Sequence, residues 1–236
     1  MRLFLCLIFA LSLFPRFSHA SESDTYNFTW LDPDKEVYVL QNRKFRKVGR
    51  LHLNAGYGVT TSGPFVDATT MQVRLGYFFS EDWGVEGIYA KNDGKENDNA
   101  LAVRNGQGNG TTPFRRIVNS YMGGMLLWSP FYTKINTFNS IFYLDWLFGL
   151  GLAQLEEKNN QNEIKDFGQD ETAVVETHTG LIWNVGLQAY LSESWALRLD
   201  MTSVVYKAKL ASTKDDVTEE GTTSNWDVAL SLGYRF

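Results

Sequence analysis

Eight runs of alternating residues, a large apolar face common to them, and links that alternate between short and long predict an all-β fold. The predicted architecture is an eight-stranded antiparallel up-and-down transmembrane β-barrel. Alternation sends successive side chains to opposite faces of a strand. Runs of roughly 9–13 residues suit a tilted strand that crosses a bilayer. A soluble β-sandwich would have shorter strands and turn its apolar faces inward. Here the continuous face is Leu, Trp, Phe and Val, while the opposite face is polar and rich in glycine. That is the arrangement of a barrel with lipid outside and a polar interior.

The chain opens with an export signal. Arg2 precedes an apolar run from Leu3 to Phe14, broken by Ser12, and a polar exit ends at Ser18-His19-Ala20. This three-part pattern is a secretory signal peptide, residues 1–20, too short for a spanning helix. Cys6, the single cysteine, lies inside it and too early to be a lipoprotein cysteine. The exported chain therefore has no disulfide, thiolate ligand or thiol nucleophile. Residues 21–48 are expected to form a periplasmic extension, and 49–236 the barrel.

The strands follow in order. Arg50–Val59 sets Leu51, Leu53, Ala55, Tyr57 and Val59 against Arg50, His52, Asn54, Gly56 and Gly58. Thr70–Phe79 sets Met71, Val73, Leu75, Tyr77 and Phe79 against Gln72, Arg74 and Gly76. Trp83–Lys91 sets Trp83, Val85 and Tyr89 against Gly84, Glu86 and Ile88. Arg116–Trp128 reads as a strand whose facing is blurred by Gly123-Gly124. Phe142–Ala153 puts Leu144, Trp146, Phe148 and Leu150 opposite Tyr143, Asp145, Leu147 and Gly149. Thr179–Leu191 puts Leu181, Trp183, Val185 and Leu187 opposite Ile182, Asn184, Gly186 and Gln188. Trp195–Tyr206 puts Trp195, Leu197, Leu199 and Met201 opposite Arg198, Asp200 and Thr202. Asn225–Phe236 puts Trp226, Val228, Leu230, Leu232, Tyr234 and Phe236 opposite Asp227, Ser231, Gly233 and Arg235.

The links support closure with both ends on one side. Ser80-Glu81-Asp82 and Ser192-Glu193-Ser194 are tight turns, and a third short link lies near Ser129-Pro130-Phe131-Tyr132. The long links, Thr60–Thr69, Asn92–Phe114, Glu156–His178 and Ala208–Ser224, are polar and suit the extracellular side. Their acidic groups, Asp170-Glu171 and Asp215-Asp216 with Glu219-Glu220, lack an ion-binding loop spacing and read as solvated. Trp83, Trp128 and Trp195, with Phe236, would form a periplasmic-side aromatic girdle; Tyr89, Tyr206 and Trp226 would lie near the outer one.

The inward faces carry Arg50, Arg74, Arg198 and Arg235 against Glu86, Asp145, Asp200 and Asp227. Eight strands leave room only for side chains, and charges in that space must be paired. The expected lumen is an ion-pair network without an open channel. Arg43, Lys44, Arg46, Lys47 and Arg50 form a basic cluster before the first strand, suited to anionic headgroups or a periplasmic protein partner.

The sequence gives little sign of an enzyme. His52 and His178 sit at opposite ends of the barrel, and His178-Thr179-Gly180 has no adjacent serine. Gly56-x-Gly58 and Gly149-x-Gly151 lie within strands and are not nucleotide loops. No cofactor is expected. A net charge of −5 argues against nucleic acid.

The final Leu232-Gly233-Tyr234-Arg235-Phe236 resembles the insertion signal of bacterial outer-membrane proteins. Tyr234 and Phe236 would be read by the barrel-assembly machinery through edge pairing. Val37 to Arg50, Trp128-Ser129-Pro130-Phe131-Tyr132-Thr133-Lys134 and Phe142-Tyr143-Leu144-Asp145 resemble an outer-membrane β-barrel domain family. That family is common in myxobacteria, bdellovibrios and their relatives, and includes small eight-stranded OmpA/OmpW-like barrels. The resemblance implies fold and location: the cell outer membrane, in contact with its lipid and lipopolysaccharide. The expected role is non-enzymatic, as a surface-loop scaffold or envelope-assembly component. The alternative is a narrow channel or a passage for small hydrophobic ligands, as in OmpW-like barrels; a lipid-modifying enzyme ranks third.

Overall fold

The computed structural model describes residues 43–105, 112–137, 140–165, 172–211 and 219–236. The expected signal peptide (1–20), residues 21–42 of the expected periplasmic extension, and the acidic pairs Asp170-Glu171 and Asp215-Asp216 lie outside the described residues.

The described residues form β1 (Leu51–Thr61), β2 (Val66–Phe78), β3 (Trp83–Glu96), helix α1 (Asp98–Asn105), β4 (Arg116–Trp128) and β5 (Tyr132–Thr137). Then come β6 (Ser140–Asn159), helix α2 (Gln161–Lys165), β7 (Val174–Tyr190), β8 (Trp195–Lys209) and β9 (Glu220–Arg235). All pairings are antiparallel. Neighbours in sequence pair around the wall, and β1 meets β9 from His52↔Arg235 to Thr61↔Trp226, closing the barrel.

Eight strands make the wall; β5 stands outside that count. β6 pairs with β4 from Trp128↔Phe148 to Arg116↔Asn159, and with β5 from Tyr132↔Asp145 to Thr137↔Ser140. The link expected as a turn at Ser129–Tyr132 is instead where the ladder changes partner. Pro130 has no N–H for the ladder, so pairing lapses there and resumes as a hairpin that extends the wall at the short-turn end.

The other two short turns share one geometry. Ser80 Oγ accepts from the Asp82 and Trp83 amides at 3.3 and 2.9 Å. Ser192 Oγ accepts from the Ser194 and Trp195 amides at 3.3 and 3.0 Å. A serine at that position satisfies amides the ladder leaves open.

At the long-loop end the strands outrun the predicted bounds: β3 reaches Glu96, β6 reaches Asn159 and β7 begins at Val174. Beyond lipid both faces meet polar surroundings. The apolar alternation then fades while the hydrogen-bonded ladder continues. The corresponding links are shorter than expected, and between β1 and β2 only residues 62–65 remain.

The outward face is a belt of exposed apolar side chains, including Leu53, Val73, Leu75, Leu126, Leu150, Leu199 and Leu230. A patch of that extent is not tolerated against water. Lipid is the solvent that covers it. The interior has two halves. His52, Asn54, Gln72, Arg74, Glu86, Arg198, Asp200 and Thr202 are buried polar groups. Ile88, Tyr121, Met125, Leu127, Leu147, Leu155, Ile182, Val204 and Tyr206 form a buried apolar cluster. Tyr206, expected in the outer girdle, is thus lumenal: it shares the parity of Arg198 and Asp200, so its ring must point inward.

Candidate functional site

Four charged residues meet in the middle of the lumen. β2 and β3 pair with Arg74↔Ile88 and Gly76↔Glu86, which makes Arg74 and Glu86 diagonal neighbours on one face. Arg74 Nη1 donates to Glu86 Oε1 at 3.0 Å. From across the barrel, Arg198 donates to Glu86 Oε2 at 2.6 Å and Oε1 at 3.1 Å. Arg198 Nε also donates to Asp200 Oδ1 at 2.8 Å. All four side chains are fully shielded from solvent.

Neutral groups tie the cluster to the wall. Arg74 Nη2 donates to Gln72 Oε1 at 3.0 Å and to Thr202 Oγ1 at 2.7 Å. Asn184 Nδ2 donates to Asp200 Oδ1 at 3.1 Å and Thr202 Oγ1 at 3.0 Å. His52 Nε2 lies 3.1 Å from Glu86 Oε2. His52, Gly76 and Glu86 form one row across β1, β2 and β3. A Cβ on residue 76 would overlap the imidazole, so glycine there lets His52 reach across β2.

The short-turn mouth is stoppered by the chain that enters the barrel. Phe45 and Lys47 are buried. Lys47 Nζ lies 2.8 Å from Asp145 Oδ2 and donates to Ser129 Oγ at 2.6 Å. The Tyr190 hydroxyl donates to the same Asp145 oxygen. The Phe45 ring stacks on Tyr190 at 4.8 Å and meets Tyr143 edge-on at 5.2 Å. Gly49, at φ +74°, turns the chain from this stopper into β1, with its amide on the Phe78 carbonyl at 2.8 Å. Only glycine adopts that φ without steric cost.

These contacts redistribute the predicted residues. Arg74, Glu86, Arg198 and Asp200 come together. Asp145 lies apart, with Lys47. Asp227 accepts from Tyr121 at 2.5 Å and from Asn225 at 2.7 Å, in a separate group. Arg235 was expected to join an ion pair. It donates instead to the Glu193 carbonyl at 2.5 Å and lies over the Tyr190 ring at 4.5 Å, because its height on β9 matches the turn after β7. Arg50 precedes β1 and is exposed, so it does not face the lumen. Lys47 leaves the basic cluster for the interior, while Lys44, Arg46 and Arg50 are exposed and Arg43 is half-buried.

The aromatic residues sort by height. Trp83 is the ladder partner of Trp128, with rings 6.1 Å apart, and Trp128 continues to Phe148 at 5.8 Å. Trp195 meets Tyr234 at 5.0 Å, and Tyr234 meets Phe236 at 4.9 Å. The Phe236 amide donates to the Leu51 carbonyl at 3.0 Å, continuing the β9–β1 seam. Trp226 meets Trp183 edge-on at 5.2 Å towards the long-loop end.

At the long-loop mouth Arg116 Nε donates to the buried Glu157 at 2.7 Å. His178 faces inward from within β7, in reach of Glu157 and Glu176. The sequence pattern ends the long link at His178, but the ladder continues to Val174 and takes the residue into the wall. Above it the loops are cross-braced. Arg104 donates to Glu163 of α2 at 2.7 Å, Arg115 pairs with both Glu96 and Glu163, and the Arg115 amide donates to Asn160 Oδ1 at 2.7 Å.

Alternation placed His52, Gln72, Asn184 and Thr202 on the inward face without indicating what they bind. Tyr190 shares the inward parity of Asn184 and Gln188, Tyr121 lies in the strand whose facing Gly123-Gly124 blurs, and the sequence carries no signal for Phe45.

The family model described as "Outer membrane protein beta-barrel domain" matches residues 40–236. No curated protein matches the chain. Among solved structures it is similar to the N-terminal β-barrel domain of OprF from Pseudomonas aeruginosa. That match has 13% identity, covers 80% of this chain and 98% of that one, and has a TM-score of 0.47. It is also similar to the Neisserial surface protein NspA, at 10% identity, 79% and 96% coverage and a TM-score of 0.47. A third is OprG of Pseudomonas aeruginosa, at 14% identity, 83% and 99% coverage and a TM-score of 0.42.

Proposed function

This chain belongs to the outer-membrane protein β-barrel domain family, and from that premise we propose that it is a closed, non-enzymatic barrel whose working surface is its extracellular loops. The cell outer membrane is its location, with the short turns on the periplasmic side. The observation that carries the reading is the Arg74–Glu86–Arg198–Asp200 cluster, which spans the lumen from β2 and β3 to β8 with no solvent-exposed side chain. A permeant solute would have to break these contacts. The Phe45–Lys47 stopper below adds a second barrier. The braced loops above favour a scaffold, since Arg104, Arg115, Asn160 and Glu163 hold two of them in one arrangement.

The exposed Lys44, Arg46 and Arg50 suit anionic headgroups of the inner leaflet or an acidic periplasmic partner. Assembly through the terminal Tyr234–Phe236 strand and cleavage after Ala20 belong to the same proposal. So does the narrower kinship with the myxobacterial and bdellovibrio branch, which rests on Val37–Arg50, Trp128–Lys134 and Phe142–Asp145.

Proteoliposome swelling tests the closed barrel. Vesicles carrying the wild type should be as tight to small sugars as empty vesicles. Swelling at a porin-like rate would overturn the proposal in favour of a channel. The scaffold part is tested by crosslinking in native envelopes: replacing residues 160–173 by a short turn should abolish crosslinks to extracellular-side partners without loss of the inserted barrel. Unchanged crosslinks would remove the loops from the function.

A further inference from the structure

We propose that the outer mouth of the barrel holds a transition-type divalent metal ion, such as Zn²⁺, on Glu157, Glu176 and His178. Glu157 and Glu176 are ladder partners across β6 and β7, and His178 is the next inward residue of β7. Three different atoms converge. His178 Nε2 lies 3.9 Å from Glu157 Oε2 and 3.7 Å from Glu176 Oε2, and all three ligand atoms fall within 4.8 Å of one another.

Each carboxylate is oriented through its other oxygen. Glu157 Oε1 accepts from Arg116 Nε at 2.7 Å and from Asn159 Nδ2 at 3.2 Å. Glu176 Oε1 accepts from Lys209 Nζ at 2.8 Å. Both Oε1 atoms are thus held by cations, and both Oε2 atoms are left facing the imidazole.

The second observation is what these atoms lack. Glu157 is fully buried; its Oε2 and His178 Nε2 make no hydrogen bond of normal geometry, and the Tyr206 hydroxyl interacts with Glu157 from below. Separations of 3.7 and 3.9 Å are too long for N–H···O bonds. They are close to what a shared ion requires: ligands about 2.1 Å from a tetrahedral metal stand about 3.4 Å apart. Modest rotations of the Glu176 and His178 side chains, which keep partial exposure, would draw the three ligand atoms to that spacing. Arg116 and Lys209 offset the two carboxylates, so the site need not carry a large negative charge before the ion arrives.

The donor set selects the ion. An imidazole with two carboxylates suits zinc and its first-row neighbours, whereas magnesium and calcium take oxygen ligands. The way in is from outside, since Glu176 and His178 keep side-chain exposures of 20% and 16%. The Tyr206 ring lies below, 5.4 Å from the imidazole.

The experiment is calorimetric titration of ZnCl₂ into detergent-folded full-length protein. Parallel titrations use His178→Ala and Glu176→Gln, with the boiling-dependent gel mobility of each variant checked for folding. Cobalt(II) absorption reports the ligand field. One equivalent of Zn²⁺ should bind, and each folded variant should bind at least 10-fold more weakly. Excess Mg²⁺ should not displace it, and cobalt should give the intense visible bands of a low-coordinate site with a nitrogen ligand. No Zn²⁺ uptake would overturn the proposal and leave a plain charge cluster. Uptake unchanged in both folded variants would also overturn it by moving the ion elsewhere.

Discussion

The middle of the lumen and its outer mouth use the same residue types, yet the glutamates at their centres are treated differently; Asp200 beside Glu86 keeps its Oδ2 open. Glu86 and Glu157 are both fully buried. Glu86 has both oxygens occupied, by Arg74, by Arg198 twice and by His52. Glu157 has Arg116 and Asn159 on one oxygen only. Depth accounts for the difference. Mid-barrel, a charge is remote from water on every side, and leaving it uncompensated is costly. At the rim Glu157 is itself buried, but its neighbours Glu176 and His178 are partly exposed, so a ligand from outside can reach its open oxygen. The first arrangement seals; the second is available to a ligand.

The contrast can be broken from either side. The largest effect is expected from Glu86→Ala, which leaves Arg74 and Arg198 to share Asp200, with Arg74 only at 3.8 Å from it. Barrel stability should fall by about 3–5 kcal/mol, read from the urea dependence of the heat-modifiable gel shift. Lys47→Ala should cost about 2–3 kcal/mol, because Asp145 keeps only the Tyr190 hydroxyl and water can enter at the mouth. Arg74→Ala should cost less, about 1–2 kcal/mol, since Arg198 and His52 still hold Glu86. That is below the value its ion pair with Glu86 alone would suggest. His178→Ala should change stability by no more than about 0.5–1 kcal/mol without added metal, as it breaks no hydrogen bond made by Nε2. A loss as large as that of Glu86→Ala would erase the distinction between centre and rim.

The parts that alternation governs were legible in the sequence. Parity alone put Arg74, Glu86, Arg198 and Asp200 inside, and the Ser80–Asp82 turn fixed Arg74 diagonal to Glu86. Parity also contained the inward Tyr206, which its aromatic character obscured. What closure decides was not legible. The Glu86–Arg198 contact joins positions 112 residues apart, and it depends on how far the wall shears when β9 meets β1. Phe45 and Lys47 precede the first strand and have no alternating pattern to place them. A basic residue among basic neighbours reads as surface until the Asp145 beneath it is seen. The β5 hairpin was hidden because Pro130 interrupts the ladder without ending it.

Planar-bilayer recording of the purified wild type tests the sealed lumen most directly. The account predicts no steady single-channel current across physiological voltages. It also predicts current only in a variant in which both barriers are removed, Lys47→Ala with Glu86→Ala, provided that variant still folds. Steady porin-size conductance from the wild type would contradict it.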